Sequence, residues 1–274
     1  MRRSDRSSWI WRHLLSLGGA GAALLLIGAC LAAPWLTPFD PATVDLSLGL
    51  QPPSADHWLG TDELGRDVFS RLLWGGRVSI TVAAVVLLVS LTVGLLVGLI
   101  CGYRGGLVDE LGMRLTDFIY ALPGIILALA LIGALGPSIP TLILALSLSG
   151  WVRYARLARS LVLTVKSSEF VLAAQAVGAT DSRIMRKHLL PALLGPVAVQ
   201  LSLDASTTVL AIAGLSFLGL GIQPPTPEWG TMLVDARPFM DYAPHLVLPP
   251  GLAIFTLVFG SNAFSEGLED WLGP

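Results

Sequence analysis

The chain has 274 residues, 54% of them hydrophobic and 13% charged, against about 25% charge in a soluble domain. Its mean hydropathy of +0.72 puts the bulk of it in lipid. The net charge of −2 says nothing about nucleic acid, and no basic, groove-forming run appears. Cys30 and Cys101 both sit in apolar segments and show neither metal-ligand spacing nor a disulfide framework.

A membrane crossing needs about 20 apolar residues for about 30 Å of hydrocarbon. The predicted elements, in chain order, are a short N-terminus (1–13), a first transmembrane helix (14–34), an extracytoplasmic loop (35–77), a five-helix core (78–266) and a tail (267–274). Within the core, Val78 to Tyr103 carries no charge and makes a second span. Phe118 to Val152 is also uncharged, but too long for one crossing at about 1.5 Å per residue. Gly136-Pro137 and Pro140 divide it, because proline removes a helix donor and restricts its predecessor. The third span is then 118–135 and the fourth 139–162, whose end carries Arg153, Arg156 and Arg159. Their long stems suit snorkelling to the interface. Pro191–Leu215 and Leu246–Phe264 complete six spans.

Lysine and arginine set the orientation. With the N-terminus inside, cytoplasmic segments hold Arg2, Arg3, Arg6, Arg12, Arg104, Arg114, Arg153, Arg156, Arg159, Lys166, Arg183, Arg186 and Lys187. Outer segments hold only Arg66, Arg71, Arg77 and Arg237. Both termini are expected in the cytoplasm. A signal peptide is the rival reading of the N-terminus, and Ile27-Gly28-Ala29-Cys30 looks loosely like a lipoprotein cleavage site. The apolar run is long for that, against about 7–15 residues, and its removal would put the two ends on opposite sides.

Between spans four and five lies a charged, helix-forming island within 166–191, reading EFVLAAQAVGATDSRIMRKHLLP from Glu169. Glu169, Ala173, Ala174 and Gln175 favour helix, and the two alanines offer a small surface for close contact. Gly178 lets the backbone turn. Thr180-Asp181 suits the cap of a short following helix, and Pro191 a first helical turn. The plain alternative is an amphipathic helix on the membrane surface.

Other features lie inside the spans. Gly94, Gly98 and Gly102 form a doubled GxxxG pattern for close helix packing, against either a second subunit or another span of this chain. Asp204 is the one carboxylate deep in a span, where an ionisable group is costly. Thr207 and Thr208 share its helix face. That face either lines a translocation path or locks span five to a neighbour.

The island resembles the EAA loop of ABC importer permeases, with Leu172 where that family usually has the first glutamate. Glu169, one turn earlier, stands in as an acidic contact. His57-Trp58-Leu59-Gly60-Thr61-Asp62-Glu63-Leu64-Gly65-Arg66-Asp67 resembles the segment before span two of the dipeptide/oligopeptide/nickel permeases. Leu215-Ser216-Phe217-Leu218-Gly219-Leu220-Gly221, with Gln223-Pro224-Pro225-Thr226-Pro227-Glu228-Trp229-Gly230, resembles their outer loop after span five. Ser265-Glu266-Gly267-Leu268 resembles their C-terminal end. The prolines of that outer loop stiffen it, either for a partner protein or simply as a rigid turn.

The resemblance, to the second (C-type) permease, covers most of the chain from residue 34. It implies an all-α membrane protein with the type I ABC importer permease fold and a cytoplasmic coupling helix, in the plasma (inner) membrane of a prokaryote. The partners it implies are a second permease in a heterodimer, two ATPase subunits that bind ATP and Mg, and an extracytoplasmic solute-binding protein. ATPase coupling would fall to Glu169, Ala173, Ala174, Gly178 and Pro191. The cargo would be short peptides or nickel as a chelate. Ile212, where peptide-type members often have glutamate, and the Leu203-Asp204 pair lean toward nickel.

No phosphate-binding GxxxxGK[ST] loop, HExxH or GxSxG motif occurs, so neither a catalytic residue nor a cofactor is expected in this chain. His13, His57, His188 and His245 are scattered and make no metal site. A channel or secondary transporter without ATP is the alternative, but it predicts an inverted repeat, and none is visible. An intramembrane enzyme lacks its catalytic set.

Overall fold

The computed structural model describes residues 3–272, with side-chain surroundings from residue 17 to 271. Arg2 and the last two residues of the tail fall outside it, as do the side chains of Arg3, Arg6, Arg12 and His13. The elements are α1 (Arg3–Leu31), α2 (Ala33–Leu36), α3 (Val68–Arg104), α4 (Gly106–Tyr120), α5 (Gly124–Leu135), α6 (Ile139–Lys166), α7 (Glu169–Ala176), α8 (Asp181–Ile184), α9 (Leu190–Phe217), α10 (Trp229–Ala236) and α11 (Leu248–Leu272). Among the described residues, three helical runs are long and apolar enough to cross a membrane, and a fourth is added if α4 and α5 are one broken span.

Local chemistry sets the ends. Asp67 caps α3, its carboxylate accepting from the Ser70 amide at 2.7 Å. Ser138 caps α6, accepting from the Thr141 amide at 3.2 Å, with Pro140 in the first turn. Gly136, at φ +85°, closes α5. A backbone in that region favours glycine because it has no Cβ to clash. The expected division near 136–140 is thus where the chain breaks.

One expectation needs correction and another extension. The third span is not one helix over 118–135, since α4 and α5 meet at 82° across Ala121–Pro123. Pro123 has no N–H and biases Leu122 away from the helical region, so an uncharged run conceals a sharp elbow. The fifth span, expected from about Pro191, is α9 from Leu190, but its helix is continuous with the short one before it. It runs from Asp181 to Phe217, and a π turn at Met185–Leu189 precedes the proline. There the Leu190 amide donates to the Met185 carbonyl. The wider turn carries the helix up to a residue that has no N–H of its own to donate. Thr180 makes no side-chain cap.

Small residues bring the helices together. Gly94, Gly98 and Gly102 all face α6. A Cβ at each would lie 2.5 Å from Tyr154 Cβ, 2.7 Å from Ala158 Cβ and 2.9 Å from Val162 Cγ1 respectively. Of the two partners open to this pattern, the one it meets here is another span of the same chain. Gly260 on α11 packs on Gly19 and Ala23 of α1, so the first and last helices lie side by side.

Candidate functional site

A cavity of about 380 Å³ lies between α3, α6, α9 and the α4–α5 elbow. Asp204, Thr207 and Thr208 are on its α9 wall, Arg153 and Tyr154 on α6, Ser90 on α3, and Tyr120, Leu122 and Pro123 at the elbow. Asp204 is buried, and one of its oxygens takes Arg153 NH2 at 3.2 Å and Gln200 Nε2 at 3.1 Å. The Tyr154 hydroxyl lies against the Asp204 carboxylate, and the Ser90 hydroxyl is buried without a hydrogen-bond partner. Buried polar groups normally find one. Ser90 on α3, Arg153 and Tyr154 on α6 and Asp204 on α9 thus give three sides of the cavity a polar lining.

The three arginines of α6 do more than snorkel. Arg153, Arg156 and Arg159 fall at three-residue spacing, so they share a face. Arg153 reaches Asp204, Arg156 NH2 reaches Asp117 Oδ1 at 2.6 Å, and Arg159 grips both oxygens of Asp109 at 2.5 and 2.6 Å. Asp109 and Asp117 are both on α4, so this row ties the elbow's arm to α6. Sequence reasoning passed over these acids, and over Tyr154 and Ser90. Their signal was the eight-residue spacing of the two aspartates, about two helical turns.

The island folds as α7 followed by a tight reversal. The Gly178 amide donates to Gln175 O at 2.9 Å and the Ala179 amide to Ala174 O at 3.0 Å, with Gly178 at φ +82°. This pair of bonds is the Schellman closure of a helix. Glu169, Ala173 and Gly178 are exposed, Ala174 is half-buried, and Pro191 is exposed on α9. Phe170, Leu172 and Val177 also present their side chains to the outside, Val177 at 85% exposure. Beneath them Val171, Ile184 and Leu189 are fully buried with Val162 and Leu193. Asp181, expected as a cap, instead accepts from the Tyr103 hydroxyl at 2.7 Å, which pins the loop to the end of α3.

At the opposite end, the segment before α3 is a clasp. Asp62 accepts from Arg66 Nε at 2.7 Å and Arg71 Nε at 3.2 Å, and both arginines approach Asp235 of α10 at 3.7 and 3.5 Å. His57 Nδ1 meets Asp67 at 2.9 Å. Burial lifts the Asp235 carboxyl above its ordinary range against the pull of Arg71 and Arg66, and burial likewise lifts Glu63. Glu228 and Trp229 are fully buried. Glu228 caps α10 and takes the Ser79 hydroxyl at 3.0 Å, while Trp229 Nε1 donates to Leu72 O at 2.9 Å. Gly76 leaves room for that indole; a Cβ there would stand 2.5 Å from its ring. This part of the outer loop is thus inside the protein.

The chain belongs to the family of binding-protein-dependent transport system inner membrane components, whose model matches residues 94–274. It is a multi-pass inner-membrane permease subunit of an ABC importer and not itself an enzyme. It is 43% identical to the dipeptide transport system permease protein DppC of Alkalihalophilus pseudofirmus, over 96% of this chain and 86% of that one. It is 42% identical to the nickel transport system permease protein NikC of Escherichia coli, over 91% and 90%. It is 38% identical to the glutathione transport system permease protein GsiD of Escherichia coli, over 98% and 91%. The type I importer fold is shared with the inward-facing MetNI methionine ABC transporter, at TM-score 0.57 and 17% identity, over 72% of this chain and 96% of that one.

Proposed function

We propose that this chain forms one half of a gated path for a small polar solute, and that the loop at 169–191 couples the path to ATP hydrolysis in partner subunits. The observation that carries the proposal is the single helix from Asp181 to Phe217. Its first residue, Asp181, lies within the loop and is pinned to Tyr103 at the end of α3, and Asp204, Thr207 and Thr208 in its middle wall the cavity. A push on the loop therefore moves a cavity wall as a rigid body, the kind of motion on which alternating access rests.

On this reading the exposed face of α7 docks on an ATPase through Glu169, Ala173, Ala174 and the neighbouring apolar side chains, with Gly178 and Pro191 fixing the geometry. Two ATPases carry ATP and Mg, a second permease completes a heterodimer, and a solute-binding protein delivers cargo to the end that holds the clasp. That end is extracytoplasmic, both termini are cytoplasmic, and the chain crosses six times. The α1 and α6 crossings are the less apolar ones, α1 because its apolar part is short and α6 because it carries the arginine row. The cargo is a short peptide or a nickel chelate. The relatives named for nickel, dipeptide and glutathione lie within a few per cent of one another in identity and so favour none.

Gly178→Pro and Glu169→Lys test the coupling. Proline cannot adopt φ +82° and removes the bond to Gln175. Both variants should insert normally, yet lose uptake or the link between uptake and ATP turnover in the complete importer. Normal coupled uptake by both at equal protein level overturns the reading.

A further inference from the structure

We infer that Tyr103 is a positioning residue for coupling: its hydroxyl, bonded to Asp181, braces the 169–191 loop against α3, so that a push on the loop moves the ends of α3, α6 and α9 together instead of bending α9 at its π turn. The inference rests on the proposal that this loop couples the path to ATP hydrolysis. It begins from how the loop is attached. The loop joins α6 through Ser167 and Ser168, and it joins α9 through the π turn at Met185–Leu189. The hydrogen bond from the Tyr103 hydroxyl to Asp181 Oδ1, at 2.7 Å, is a third attachment, to α3. Gln175 of α7 stands beside the same hydroxyl.

Ring and hydroxyl have separate tasks at this joint. The ring is buried in a cluster with Val162 of α6, Val171 of α7, Ile184 of α8 and Leu193 of α9. Lys166, the last residue of α6, donates from Nζ to the Tyr103 carbonyl and lies 5.1 Å from the ring centre. Packing therefore holds the ring, and phenylalanine would be held as well. The hydroxyl needs a polar partner, and it finds one on the carboxylate of the exposed Asp181. A bond to an ionised acceptor is about twice as strong as a neutral one. The brace also ends on something stiff, since Gly94, Gly98 and Gly102 pack α3 closely on α6. Asp181 lies on the loop side of the π turn, and helices bend most readily at such turns. With Asp181 released, a displaced loop can swing about that turn and leave the cavity wall where it was. With Asp181 held, the three helices that carry Ser90, Arg153 and Asp204 share one anchor.

The complete importer carrying Ala211→Cys, on the half-buried cavity wall of α9, is reconstituted in lipid. The probe is N-ethylmaleimide, and its reaction at that position is read by mass spectrometry, without nucleotide and after trapping with ATP and vanadate. The ratio of the two rates measures how far nucleotide reaches the cavity. In the parent that ratio should depart from one. Tyr103→Phe should bring it about tenfold closer to one, or all the way to it, a loss of ~1.4 kcal/mol of coupling. Asp181→Ala should do the same. Asp181→Asn keeps an oxygen that accepts from the hydroxyl and should keep most of the response, a rescue that a purely electrostatic role for Asp181 would not give. The double variant Tyr103→Phe/Asp181→Ala should be no worse than either single one, because both remove the same bond. Nucleotide-free labelling at the parent rate shows the cavity intact in each variant.

A parent-like ratio in Tyr103→Phe overturns the inference, and so do single losses that add in the double variant. If Gly178→Pro abolishes the response while Tyr103→Phe retains it, the inference falls and the loop still couples. If the parent ratio is one, or Gly178→Pro leaves it unchanged, the coupling proposed above fails and the inference fails with it.

Discussion

The two ends of the bundle both carry dense charge, and they use it in opposite ways. At the clasp, Arg66 and Arg71 are almost fully buried among Asp62, Glu63 and Asp235, and Glu228 and Trp229 are sealed inside. At the loop, Glu169 and most of the neighbouring apolar side chains face outward, with Val171 as the buried anchor. One end has turned its motif residues onto its own chain, while the other leaves them exposed. A family motif is therefore not by itself a docking site; the same density of distinctive residues marks a lock at one end and, on the proposed reading, a contact face at the other.

That contrast breaks first at Trp229. Truncation to alanine removes a fully buried indole and its bond to Leu72, a change that typically costs about 3–5 kcal/mol. The expected result is a large fall in melting temperature in detergent and low accumulation in the membrane. A variant that melts like the parent would mean that this end is not a lock. At the loop, Gly178→Ala is the matching substitution. Nothing lies within 4 Å of the added Cβ, so the cost is only that of the left-handed backbone, about 1–2 kcal/mol. The protein should accumulate and melt slightly earlier, with coupled uptake falling more than stability.

The clasp also has a pH signature. Burial holds the Asp235 carboxyl above its ordinary range in the folded protein. The folded state then binds that proton more tightly than the unfolded state does. This group's contribution is least favourable at neutral pH, and it improves as pH falls through the raised folded value. Asp235→Asn should remove this dependence. The difference in melting temperature between parent and variant should therefore shift in the parent's favour on acidification from neutral pH down to the ordinary carboxylate range, about pH 4. A difference that stays constant with pH would show that Asp235 titrates as it does in the unfolded chain.

Much of this was legible from residues alone. Gly136-Pro137 and Pro140 mark a real break because their effect is local, and Gly178 marks a real reversal for the same reason. The glycine spacing on α3 announces a close contact, but the partner depends on which helix the tertiary fold brings alongside. The α4–α5 elbow was hidden because an uncharged run masks one proline, and the continuity of α8 into α9 because a π turn has no sequence signature. The arginine row reads as snorkelling until the aspartates of α4 and α9 are placed beside it. Pairing across helices is a property of the packing, and no window along the chain contains it.

The smallest expected effect on stability sharpens the contrast most. Leu172 stands where the family usually has glutamate, and it is 51% exposed. Its replacement by alanine touches no packed neighbour of the buried anchor, so stability should stay within about 0.5 kcal/mol. If the exposed apolar side chains of α7 are a contact face, the same change should weaken docking of the ATPase, read as faster dissociation of the subunits in detergent and lower binding-protein-stimulated ATP turnover. Leu172→Glu, which supplies the usual charge, then decides how the face works. Recovery of docking by glutamate would mean that the partner offers a cation there. A further loss would mean that this chain has exchanged a charged contact for an apolar one, and that its partner ATPase carries the matching apolar surface.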